Sequence, residues 1–174
     1  DSTTTQTVQF YVTSASLGLS ASVDVSKGEF HNFVAQFNRL PGQQRLELFV
    51  DSLLSATSPA ISEFGEIDFA TSPLLIGSGS AHRSAQFTDF EPKQVLSGAI
   101  DDLRIFHSTR SINDQKKLST QNIFPSEDLK LYYKFNEPTG SFGGVTIVLD
   151  SSGNSLHGSY ASPARAQLAR GTSQ

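Results

Sequence analysis

In LGLSASVDV, residues 17–25, every second residue is apolar: Leu17, Leu19, Ala21, Val23 and Val25 alternate with glycine, serine and aspartate. A period of two puts one set on one side of an extended chain and the other set on the opposite side, which is the pattern of a half-buried strand. The same spacing recurs at Val8, Phe10 and Val12 in TVQFYVTS and at Leu46, Leu48 and Val50 in RLELFVDSLL. In FHNFVAQFN, Phe30, Phe33, Ala35 and Phe37 point one way if His31 and Asn32 carry a bulge or the start of a strand. Turn residues separate these runs, with Pro41-Gly42 before RLELFV and Asp51-Ser52 turning that strand into a second arm at Leu53-Leu54.

The later part of the chain continues the pattern. SPLLIGSG reads as a short apolar strand stopped by Gly77 and Gly79, and a polar stretch from Ser80 to Pro92 reads as a surface loop. GAIDDLRIF puts Ile100, Leu103 and Ile105 in a strand. Ser111, with Asp114 three residues on, then starts one short helix that ends near Leu118. Leu131, Tyr133 and Phe135 mark a further strand, and VTIVLDSSGNSLHG another that ends in an Asx- and Gly-rich turn. Short strands at this spacing predict an all-β, antiparallel two-sheet sandwich, with one short helix after IDDLRIF.

Composition limits what such a fold can do. The 174 residues, 37% hydrophobic with thirteen Phe, suffice for one packed domain or for one domain and part of a neighbour. Cysteine is absent, which removes disulfides, thiolate metal sites and thiol catalysis. A net charge of −4 with scattered Lys and Arg argues against a nucleic-acid or anionic-membrane partner, and Lys116-Lys117 reads as a solvated helix face. No apolar run is long enough to span a bilayer, and no charged-then-apolar leader stands at the start.

Four stretches resemble the laminin-G-like jelly rolls of the concanavalin A-like superfamily. GEFHNFVAQFN is similar to the family's aromatic-His-x-Val-Ala strand, with Phe30 in place of the usual Trp. RLELFVDSLL is similar to its L-x-L-Y-V-D-G hairpin, with Phe49 for Tyr and Ser52 for Gly, and PLLIGSG to its L-x-I-G strand. GAIDDLRIFHSTRSINDQ resembles its closing signature, G-x-I-D-D-V-R-I-Y followed by a short helix. LKLYYKFNEPTG and VLDSSGNSLHG then resemble the family's opening strands, although they follow the closing signature. The resemblance implies a jelly-roll sandwich over residues 1–126, starting partway through a repeat. Residues 127–174 are then either the opening strands of a following repeat or terminal strands that complete the same sandwich.

The acidic and histidine positions are the candidates for chemistry. GEIDFATS carries Glu66 and Asp68 on one face, as in the superfamily's β-glucanases, but a retaining glycosidase needs a further carboxylate where Ala70 and Thr71 stand. The four histidines, His31, His82, His107 and His157, lie singly and lack zinc-ligand spacing. No G-x-S-x-G elbow occurs, and His31 reads as a strand residue. The resemblance implies Ca²⁺ held by hard oxygen ligands at a sheet edge, with Asp101, Asp102, Asp150 and Asn154 as the candidate ligands. The alternative is structural: Asp102 satisfies backbone N–H groups or pairs with Arg104 or Arg110, and Asp150 makes an Asx-turn.

The function expected from these features is non-catalytic recognition or adhesion within a larger extracellular, cell-surface or virion protein. The module would bind glycan or protein through edge loops, with His82, Arg83, Phe87 and Phe90 of the Ser80–Pro92 stretch as the contact residues. Structural assembly is the second expectation: a decoration, fibre or tail module of a phage or cell-surface stalk, with neighbouring domains or subunits as partners. A β-glucanase ranks below both.

Overall fold

A computed structural model of the chain describes residues 4–14, 17–67, 76, 98–136 and 147–159. These residues form an antiparallel, strand-rich fold with one short helix. They fall in two compact units: Asp1–Ser97 with Thr109–Gln121, and Gly98–Ser108 with Asn122–Gln174.

In the first unit β1 (Thr5–Ser14) and β2 (Leu17–Ser26) pair along their full length, from Thr5 opposite Ser26 to Ser14 opposite Leu17. The alternation read in β2 holds from Leu19 onward: Leu19, Ala21 and Val25 are buried, Val23 is half-buried, and Ser22, Asp24 and Ser26 face water, while Leu17 at the strand's start is 45% exposed. β3 (Phe33–Asn38), β4 (Arg45–Val50) and β5 (Leu53–Thr57) form a second sheet with β4 at its centre. The β2 face meets this sheet in one core of Leu19, Ala21, Leu46, Leu48 and Phe64, edged by Val12, Val23, Phe37, Ala56, Ile61 and Ile67. Full burial of each Leu contributes roughly 1.5–3 kcal/mol, and Leu46 and Leu48 are 0% and 2% exposed.

β4 is buried on both faces, which alternation alone did not reveal. Leu46 and Leu48 point to the core, and Glu47 and Phe49 on the opposite face are equally covered. The Glu47 carboxylate is held there by Gln36 Nε2 at 2.9 Å, Arg45 Nε at 3.0 Å and Asn38 Nδ2 at 3.4 Å. Burial pushes its pKa up, yet the bonds from Gln36, Arg45 and Asn38 with the Arg45 charge outweigh that and hold it below the usual range. Gln36 also accepts from the backbone N–H of Arg110 at 3.1 Å, and the fully buried Gln115 donates to the Arg110 carbonyl at 3.2 Å. These two glutamines thus hold Arg110, just ahead of α1 (Ile112–Leu118), by both of its backbone polar groups. Ser111 caps α1 as read, its Oγ accepting from Asp114 N at 3.2 Å.

The register places Phe33, Ala35 and Phe37 opposite Val50, Leu48 and Leu46, so the three do share a face. Of these only Phe37 packs against the core; Phe33 and Ala35 are exposed, and Phe30 stands outside the strand. Asp51 and Ser52 join β4 to β5 with Val50 opposite Leu53, both central residues in the left-handed region at φ 51° and 64°. That is the backbone of a type I′ hairpin turn, normally an Asn-Gly or Asp-Gly site.

After β5 the chain is fastened to the same unit at residues 64–66. Phe64 N donates to Gln44 Oε1 at 2.8 Å, Arg39 donates to the carbonyls of Phe64 and Gly65, and Ser14 Oγ donates to the carbonyl of Glu66 at 2.6 Å. A Cβ on Gly65 would stand 2.6 Å from Ser14 Oγ.

In the second unit β6 (Leu103–Phe106) pairs with β7 (Leu129–Tyr133), so strands on either side of residue 126 share one sheet. β7 ends at Tyr133 rather than reaching Phe135, because Phe135 adopts a left-handed backbone at φ 53°. β8 (Ile147–Val148) pairs with β9 (Gly158–Ser159), and a single bridge links Tyr133 to Asp150. No helix among the described residues is long and apolar enough to cross a membrane.

Two substitutions test this account. Ser52→Gly relieves a left-handed cost of roughly 1–2 kcal/mol against an entropic loss of about 0.5–1 kcal/mol, so the melting temperature should rise by a few degrees at most. Gly65→Ala should destabilise by about 1–3 kcal/mol through overpacking. In a Ser14→Ala background, which removes the atom it strikes, the same change should cost less; equal costs in the two backgrounds would refute the contact.

Candidate functional site

Asp51, Asp101, Asp102 and Asp150 each accept hydrogen bonds through their carboxylates at bends of the chain. In the first unit Asp51 Oδ2 accepts from His31 Nδ1 at 2.9 Å and Oδ1 from the Asn32 backbone N–H at 2.9 Å. The backbone N–H of Asp51 donates in return to the Asn32 carbonyl at 2.8 Å. The β4–β5 turn is therefore tied to the two residues that lead into β3, and the His31 ring stands edge-on to Phe33. The hydrogen bond from His31, then that from Asn32, holds the Asp51 carboxyl below its usual pKa.

In the second unit the centre is Tyr132, wholly buried in β7. Its phenol donates to Asp102 Oδ1 at 2.8 Å and accepts from Arg104 at 3.1 Å, with Asn122 Oδ1 at 3.2 Å. Arg104 also donates to Asp102 Oδ2 at 3.0 Å and lies over the tyrosine ring, 4.8 Å from its centre. Burial raises the phenol pKa and keeps it a neutral donor. Asp102 itself has φ 54°, and its N–H donates to Asp101 Oδ1 at 3.0 Å.

Asp150 organises the neighbouring turn. Its Oδ1 accepts from the backbone of Tyr132 at 3.0 Å and of Ser152 at 2.9 Å, and its Oδ2 from Ser152 Oγ at 2.8 Å and Leu156 N at 3.0 Å. Asn154 Nδ2 donates to the carbonyls of Leu129 at 2.9 Å and Lys130 at 3.1 Å. Left-handed residues Gly153 and Ser155, at φ 91° and 58°, let the chain curl around these groups. His157 Nδ1 accepts from the Asp150 N–H at 3.0 Å, which sets the ring's tautomer with the proton on Nε2.

The structure thus brings Asp102 and Asp150 to one residue, Tyr132, but to its opposite ends: one meets the phenol, the other the backbone N–H. Among the described residues no three of His, Asp and Glu form a group that could hold a metal ion. Three of the four residues expected to hold calcium, Asp102, Asp150 and Asn154, are engaged by protein groups. Asp150 already accepts four protein hydrogen bonds, Asp102 has a guanidinium against it, and Asn154 turns its amide N–H₂ to the strand. The arrangement fixes turns.

Glu66 is exposed and joins this framework through its backbone carbonyl. Asp68, Ala70 and Thr71 lie outside the described residues, as do His82, Arg83, Phe87 and Phe90. Sequence reasoning missed Tyr132 and Asn122. The parity of LKLYY favoured Tyr133 as the inward residue, and no local signal marks the tyrosine next to it.

Tyr132→Phe leaves Asp102 and Arg104 without the phenol and should cost about 1–3 kcal/mol of stability, read by urea denaturation. The Asp150 carboxyl is pushed up by burial but pulled further down by the bonds from Ser152, Tyr132 and Leu156, so its folded pKa lies below the ordinary 3.8. A depressed folded pKa gives stability that is complete above the unfolded value and is lost as pH falls through the folded one. The melting temperature should therefore fall below about pH 4, and Asp150→Asn should shallow that fall. With these groups engaged by the protein, added Ca²⁺ or EGTA should leave the melting temperature unchanged, and a higher value with Ca²⁺ would show that the ion displaces these bonds. No protein-family model matches this chain, and neither does any curated protein or solved structure.

Proposed function

We propose that this chain is a non-catalytic recognition module of a larger extracellular, cell-surface or virion protein, built as a laminin-G-like jelly-roll sandwich, that binds glycan or protein at a loop end. The observation that carries this reading is the clamped, apolar end of the β3–β4–β5 sheet. Phe33, Val50 and Leu53 are direct neighbours across the three strands, and Phe33 and Leu53 are 40% and 67% exposed. Phe30, three residues ahead, is 77% exposed.

Exposed aromatic and aliphatic side chains gathered on a fixed frame are what a partner surface or a sugar face can cover without first ordering them. The Asp51 clamp supplies that frame, since it ties the turn to the residues between Phe30 and Phe33. The family-like motifs support the jelly-roll reading: FVAQFN, RLELFV, LRIF and LKLYY all lie on antiparallel strands in the described residues. Pairing of β6 with β7 favours terminal strands that fold back on the closing signature over the start of a new repeat.

Binding should be measured on a glycan array and by pull-down from the surface fraction of the source cells. The double variant Phe30→Ser, Leu53→Ser should keep the melting temperature and weaken binding by about tenfold or more, as loss of an interface anchor does. A ligand held equally well by the variant would exclude this end of the sheet. Release of reducing ends from mixed-linkage or β-1,3-glucan would overturn the non-catalytic reading.

A further inference from the structure

We draw no further inference here: the strongest candidate, the two buried polar atoms without a hydrogen-bond partner ahead of β3, His31 Nε2 and Asn32 Oδ1, belongs to the turn clamp already described, and nothing in the structure points to a ligand that reaches either atom.

Discussion

A backbone N–H that leaves a regular strand needs an acceptor, and at several bends among the described residues an aspartate carboxylate supplies it. Asp150 accepts from three backbone N–H groups and one hydroxyl, Asp51 from one backbone N–H and an imidazole, and Asp101 from the N–H of its neighbour. A charged acceptor forms a stronger bond than a carbonyl does and leaves the chain free to curl where a partner strand would hold it straight. That freedom is used: Asp51, Ser52, Asp102 and Ser155 all adopt left-handed backbones without being glycine. Such residues are held in place by surroundings that over-determine them.

Local features of the fold were legible where one short stretch decides the outcome. The alternation of residues 17–25 became β2 with Leu19, Ala21 and Val25 buried and Leu17 exposed at its start, Asp51-Ser52 became a two-residue turn, and Ser111 capped a helix ending at Leu118. Features that depend on a second covered face were not legible. Glu47 and Phe49 carry the parity of outward residues and are nonetheless buried, because their face of β4 is covered as well. Gln115, a polar residue within α1, is buried and donates to the carbonyl of Arg110.

The candidate site was legible as a set of residues and not as a chemistry. Asp-x-x-Gly-Asn and paired aspartates present the same oxygens whether they surround a cation or accept N–H groups. The difference lies in what stands opposite, and that is set by Tyr132 and Arg104, which share no local motif with Asp150. At Asp150 the Tyr132 N–H, two serine groups and the Leu156 N–H occupy both oxygens of the carboxylate. The pair His31 and Asp51 illustrates the same point: a histidine read as a plain strand residue is the partner that orients a turn.

Neither compact unit is continuous in the chain. Residues Thr109–Gln121 belong with the first unit, while the stretches directly before and after them, Gly98–Ser108 and Asn122–Gln174, make up the second. During synthesis β6 therefore emerges well before β7, and its pairing edge must wait until the helical excursion and the residues after it have left the ribosome. The same interleaving means that a cut at any single peptide bond cannot yield both units whole, so that exchange of modules by simple end-to-end recombination between chains of this kind would have to carry both together.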